Sequence, residues 1–236
     1  MTTYLSVPAV DRESTGLQAV LLDMDGTLVD TEDFWWQAEY SLLAEFGYLL
    51  DQTDREVVVG GPMRRVMDYL IAVSGIDLTA EQLGALIDAR FLDLISQGVP
   101  LRPGAGALLA ELAAEGIPTV LVTAAQRRIV DRVLLTLGGH HFAFTVAGDE
   151  VERTKPHPDP YLLAAARLGV EPGRCVVVED SLTGVSSGEA AGCRVLAVPS
   201  VAPIGPAPGR TVLESLEGVG VALLRTLIPV ADGVSK

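Results

Sequence analysis

A chain of 236 residues, 49% hydrophobic and 20% charged, can bury one sizeable core with room for a smaller insert. Its 17 Lys+Arg against 31 Asp+Glu leave a net charge of −14, which argues against a nucleic-acid or anionic-membrane surface. No apolar run approaches the roughly 18 residues of a membrane span, and residues 1–16, without a basic start or an apolar h-region, read as a flexible tail rather than a signal peptide.

The first predicted strand, Leu17–Leu22, ends directly in Asp23-Met24-Asp25-Gly26-Thr27. Buried carboxylates without partners are costly, so charge at this place needs a use. A divalent metal supplies it, since Mg2+ takes carboxylate, water and phosphate oxygens together. Residues 31–99 then carry no convincing strand, Val57–Val59 being too short to decide. Trp35, Ala38, Leu42 and Phe46 recur at helical spacing, as do Met63, Val66, Met67, Leu70 and Ile71 after Gly60-Gly61-Pro62. Thr79-x-x-Gln82 reads as a capping box opening a third helix through Leu83, Ile87 and Leu94.

From residue 101 onward strands and helices alternate. The strands are Ile117–Val122, Phe142–Ala147, Cys175–Val178 and Arg194–Val198. One helix runs between Pro103 and Gly116; another carries Ile129, Val133, Leu134 and Leu137 and stops at Gly138-Gly139. Such alternation predicts an α/β fold: a Rossmann-like parallel sheet core with helices on both faces, here interrupted by an inserted α-helical module. Pro199–Pro208 reads as a connector to a final helix opened by Thr211-x-x-Glu214. Cys175 and Cys193, at strand starts, are expected as a reduced pair in a cytoplasmic protein.

Open α/β sheets bind ligands at the carboxyl ends of their strands. There the sequence places Asp23 and Asp25, Thr123 after Val122, and Glu179-Asp180 after Val178; Lys155-Pro156 lies in the loop region after Ala147. One sheet edge thus gathers four carboxylates, a hydroxyl and an ammonium, the set that metal-assisted phosphoryl transfer requires. These elements, in this order, resemble the four motifs of the haloacid dehalogenase-like superfamily, in its Mg2+-dependent phosphatase and phosphomutase branch. The likeness runs from about Leu17 to Val198, with residues 31–99 similar to the family's helical cap and residues 17–30 and 100–236 to its core.

The resemblance implies a Mg2+-dependent phosphatase working through an aspartyl phosphate. Asp23 is then the nucleophile and Asp25 the general acid–base residue. Thr123 and Lys155, with the backbone N–H groups of Met24 and Ala124, bind the phosphoryl oxygens. Mg2+ is held by Asp23, the Asp25 carbonyl, Asp180 and, directly or through water, Glu179. Asp25 and the following Gly-Thr speak against a dehalogenase. The alternative is a β-phosphoglucomutase-like enzyme, but that group has a His on the first cap helix where Trp35 stands here, and a cap Lys, whereas residues 32–99 contain none. An alternative from another class, a non-catalytic ligand-binding descendant, would be expected to have lost some of these acids.

Asp30-Thr-Glu-Asp-Phe-Trp-Trp-Gln-Ala-Glu39 is similar to the first cap helix of relatives that hydrolyse hexose and hexitol phosphates, which favours a sugar or polyol phosphate. Gly61 and Arg64 occupy the family's substrate-reading loop, and Trp35 or Trp36 is expected to line the pocket. Motif two departs from the common pattern in carrying Ala124-Ala125 where Ser or Asn is usual, which removes one side-chain hydrogen bond. Arg127 and Arg128 are expected to be solvated helix residues, His140-His141 to lie outside the site, and His157 to serve its turn. A small phosphorylated metabolite is the expected partner, and a monomer the expected state.

Overall fold

The computed structural model describes residues 16–59, 61 and 63–229. Almost all of the expected N-terminal tail, and Gly60 and Pro62, lie outside the described residues. Six parallel strands form one sheet in the order β3-β2-β1-β4-β5-β6. They are β1 (Ala19–Leu22), β2 (Thr119–Val122), β3 (Phe144–Val146), β4 (Cys175–Glu179), β5 (Arg194–Ala197) and β6 (Arg210–Val212).

The sequence Ala-Val-Leu-Leu of β1 is wholly buried because β1 is central and covered on both faces. Side chains alternate across it. Val20 and Leu22 enter an apolar cluster with α5 (Ala105–Ala114), α6 (Arg127–Leu137) and α9 (Val221–Leu227). Ala19 and Leu21 face the opposite cluster, with α7 (Asp159–Leu168) and α8 (Leu182–Ala190). The register puts Leu22 between Leu121 and Val178, so β2 and β4 each end one residue beyond β1 on the same side of the sheet. The strand order reverses at β1, the crevice where such sheets bind ligands.

Between β1 and β2 the chain makes a helical excursion of α1 (Glu32–Glu45), α2 (Gln52–Val58), α3 (Met63–Ser74) and α4 (Ala80–Leu94). The outgoing and returning connections run side by side. The Asp30 N–H donates to the Pro100 carbonyl (2.8 Å), the Arg102 N–H donates to the Leu28 carbonyl (2.9 Å), and Val29 bridges Leu101. Within the excursion α1 packs on α4, where Trp35 stacks on Phe91 with ring centroids 3.7 Å apart. The expected capping box is made in full: the Gln82 N–H donates to Thr79 Oγ1 and the Thr79 N–H to Gln82 Oε1. Val57-Val58 closes α2, a helix fixed by a second box in which Asp51 and Asp54 cap each other's N–H groups.

One sequence expectation fails. Thr211-x-x-Glu214 opens no helix; Arg210–Val212 is the edge strand β6, with Thr211 beside Leu196. β-Branched Thr211-Val212 suits an edge strand, and the Ser215–Gly218 stretch breaks the apolar run that a capping box must precede. The last helix starts instead at Val221, whose N–H donates to Glu111 Oε1 (2.8 Å). No helix among the described residues is long and apolar enough to cross a membrane.

Candidate active site

The carboxyl ends of β1, β2 and β4 deliver Asp23, Thr123 and Asp180 to one point, because each follows directly on a buried apolar strand. Lys155 reaches the same point from the loop before α7. Its ammonium donates to Asp23 Oδ1 (2.6 Å), Glu179 Oε1 (2.7 Å) and the Val122 carbonyl (2.8 Å). All three groups are nearly or fully buried, Lys155 and Asp23 at 6% exposure and Glu179 at 1%.

Asp23, Glu179 and Asp180 bring carboxylate oxygens within 4.8 Å of one another. Burial, reinforced by Glu179, pushes Asp23 up to about 7 against the pull of Lys155. Burial and the charges of Asp23 and Glu179 push Asp180 well above the usual carboxylate range. For Lys155 burial works against the charge, but Asp23 and Glu179 outweigh it and hold the ammonium above its ordinary value. With all three carboxyls ionised, one ammonium would leave two negative charges in a buried pocket, which is the cost that the raised values of Asp23 and Asp180 express. A divalent cation is the group that cancels those charges, so the donor set fits Mg2+.

The donors are not equivalent. Glu179 Oε1 also accepts from the Tyr161 hydroxyl (2.9 Å), while Oε2 accepts from the Asp180 N–H (3.1 Å) and the Ser181 hydroxyl (3.2 Å). Both its oxygens are thus engaged within the protein. Asp180 accepts from the Ser200 hydroxyl at one oxygen, Oδ2, and keeps the other for a ligand. Two glycines make the approach possible. A Cβ on Gly26, which has φ +76°, would stand 2.0 Å from Asp180 Oδ2, and one on Gly184 would stand 1.7 Å from Glu179 Oε1.

Asp25 is fixed from the helical excursion. Its Oδ1 accepts from the Thr31 hydroxyl (2.6 Å) and from Trp35 Nε1 (3.4 Å). Burial raises its carboxyl above the ordinary range, and these two bonds pull it back down. The Asp23 carboxylate is held in turn by the Thr27 hydroxyl (3.0 Å). Thr123 Oγ1 accepts from the Ala125 N–H (3.1 Å), which leaves its own proton to donate. The N–H groups of Met24 and Ala124 donate to no group among the described residues, whereas the Met24 side chain is wholly buried in the apolar core.

A cavity of about 260 Å³ opens on this cluster and runs under the helical excursion. It is lined by Asp23, Asp25, Thr123, Ala124, Lys155, Glu179 and Asp180 around the strand ends, and by Trp35, Trp36, Gly61 and Arg64 from the helical excursion. Of the residues expected at the site from sequence, all line this cavity except Met24, whose side chain lies in the apolar core. Arg64 reaches the cavity only in part, being paired with Asp68 (3.2 Å) at 82% side-chain exposure. Arg127 and Arg128 are not simply solvated. Arg127 clamps Glu150 (2.8 Å) and Thr145 (2.7 Å), and Arg128 ties α6 to the buried Asp88 of α4 (2.8 Å). Sequence reasoning passed over Thr27, Thr31, Tyr161, Ser181, Ser200 and Glu39. Only Thr27 carried a signal, as the residue completing Asp-x-Asp-Gly-Thr; the others are brought in by folding.

Comparison with known proteins agrees with this architecture. The family model described as haloacid dehalogenase-like hydrolase matches residues 17–192. Hexitol phosphatase B of Escherichia coli K12 is 30% identical over 185 residues, covering 77% of this chain and 83% of that protein. The bifunctional riboflavin kinase/FMN phosphatase of Arabidopsis thaliana is also 30% identical, over 77% of this chain, which spans only 48% of that longer protein. The crystal structure of a CbbY mutant from Rhodobacter sphaeroides in complex with xylulose-(1,5)bisphosphate superposes with a TM-score of 0.78 at 28% identity, covering 88% of this chain and 99% of that one. The chain belongs to the haloacid dehalogenase-like hydrolases.

Proposed function

We propose that this protein is a Mg2+-dependent phosphatase that hydrolyses a phosphate monoester of a small sugar or polyol through an aspartyl phosphate on Asp23. The observation that carries the reading is the lysine-bridged, net-negative carboxylate cluster at the ends of β1 and β4, opening into a cavity roofed by helices. Names of relatives support the substrate class: a hexitol phosphatase, and a CbbY protein crystallised with a sugar bisphosphate.

Asp23 attacks phosphorus, splitting one hard hydrolysis into two easier displacements. Lys155 favours the ionised form of this buried carboxylate and, with the Thr123 hydroxyl and the free N–H groups of Met24 and Ala124, offers donors to the phosphoryl oxygens. Asp25 protonates the departing ester oxygen and then takes a proton from the water that cleaves the aspartyl phosphate, a role typically worth about 10²–10⁴-fold. Asp23, Asp180 and the Asp25 carbonyl would hold Mg2+, which when bound screens the charge of the transferred group. Glu179, which accepts from Lys155, Tyr161 and the Asp180 N–H, would serve as a further ligand of the metal, directly or through water. Residues 31–99 act as a cap that closes the cavity against water.

The test is phosphate release from para-nitrophenyl phosphate and a panel of sugar and polyol phosphates, with and without Mg2+. Asp23→Asn is expected to abolish release while leaving the protein folded, and near-native activity in that variant would overturn the mechanism. Formation of glucose 6-phosphate from β-glucose 1-phosphate without net phosphate release would convert the reading to a mutase.

A further inference from the structure

We propose that Glu39 reads the organic half of the substrate, and that this half is a neutral polyhydroxyl chain carrying no second anionic group. The assignment rests on the phosphatase reading and names its substrate class. Glu32, Trp35, Trp36 and Glu39 stand at i, i+3, i+4 and i+7 of α1, so they share one helix face, and all four line the cavity. The face carries carboxyl groups at both ends.

Glu39 is only 6% exposed and hydrogen-bonds to no group among the described residues. A polar side chain this deep is ordinarily paired within the protein, whereas the Glu39 carboxyl can find a partner only in the cavity it lines. The cavity lining also includes the apolar Val58 and Val66, which have no polar side-chain atom to offer. The core of the fold has no need of a carboxyl here; a ligand in the cavity does. Burial, helped by the charge of Glu32, pushes Glu39 up to about 8, so near neutral pH it is largely the acid. A carboxylic acid both donates and accepts, as a hydroxyl does.

The cavity lacks the means to hold a second anion. Its basic lining residues are Lys155, locked into the carboxylate cluster, and Arg64, exposed and paired with Asp68. Glu32 faces the same space, its carboxyl raised first by burial and then by Asp25. A distal phosphate or carboxylate would find no unpaired cation among the lining residues.

The experiment compares wild type, Glu39→Leu and Glu39→Gln on mannitol 1-phosphate, fructose 1,6-bisphosphate, phosphoglycolate and para-nitrophenyl phosphate. Wild type is expected to favour mannitol 1-phosphate over the bisphosphate and phosphoglycolate by tenfold or more in kcat/KM, on the order of one lost or opposed polar contact. Glu39→Leu should lower kcat/KM for mannitol 1-phosphate by about 10–100-fold while para-nitrophenyl phosphate changes less than about threefold, and Glu39→Gln should restore most of the loss. Glu39→Leu should not melt lower than wild type, since no group of the protein depends on this carboxyl; a merely structural role predicts a lower melting temperature. An unchanged substrate ratio in Glu39→Leu, an equal loss on both esters, or a wild-type preference for the bisphosphate would overturn the assignment. If folded wild type releases no phosphate from any ester, the phosphatase reading itself fails, and this assignment with it.

Discussion

At the scale of single residues, the site is made possible by two side chains that are absent. Gly26 and Gly184 let Asp180 and Glu179 approach to distances that any Cβ would block, and the obstructing atoms are carboxylate oxygens already tied to Ser200, Lys155 and Tyr161. Gly26→Ala and Gly184→Ala are therefore each expected to cost about 2–4 kcal/mol and most of the activity. Thermal melting together with phosphate release checks both. Glu39 gives a pH dependence. An unfolded glutamate titrates near about 4.3, the folded one near about 8. Below the lower value both states hold the proton and nothing is at stake. Between the two values the unfolded chain releases a proton that the folded protein keeps, so stability falls as pH rises through this window. Glu39→Gln removes that fall, and its melting temperature should draw further above that of wild type at each step from pH 5 to pH 8.

At the scale of elements, what was legible in the sequence was what local rules decide. Asp-x-Asp after an apolar strand, Thr123 and Glu179-Asp180 after two others, and the Thr79–Gln82 box all depend on neighbours along the chain, and all stand where the pattern puts them. Edge strand β6 was not legible, because a three-residue strand gains its hydrogen bonds from β5, and Thr-x-x-Glu carries the same letters with or without a helix behind it. Thr31, Tyr161 and Ser200 escaped for a similar reason. Each is an ordinary polar residue until the fold aims it at Asp25, Glu179 or Asp180. The box on α4 also yields a clean measurement. Thr79→Ala should cost about 1 kcal/mol of stability, seen in denaturant unfolding, while hydrolysis of para-nitrophenyl phosphate stays as it was, since Thr79 is not among the residues lining the cavity.

At the scale of the whole molecule, a protein of net charge −14 must admit an anionic ester. The attraction is short-ranged, confined to Lys155, free N–H groups and the metal the cluster would hold, whereas the repulsion extends over the surface. Salt shortens the reach of the second more than the first: the screening length falls from about 30 Å at 0.01 M to about 8 Å at 0.15 M. The kcat/KM for a phosphate monoester is expected to rise as KCl is added over this range, the reverse of an electrostatically steered enzyme. A falling kcat/KM would place a basic funnel at the mouth that the lining residues do not supply.

The grip of Thr31 and Trp35 on Asp25 ties together two properties that could otherwise change separately. The carboxyl group belongs to the sheet, but both donors that orient it enter with the first turns of α1, beyond the point where the chain leaves the sheet at Asp30. On the proposed mechanism, recombination between relatives at the paired connections would exchange the lining of the cavity and the tuning of Asp25, the proposed proton donor, in one event. Lineages could not acquire a new substrate by trading this segment without also re-testing their chemistry, and the variants that survive should be those whose incoming helix brings a hydroxyl and a ring N–H, or equivalent donors, to the same carboxyl oxygen.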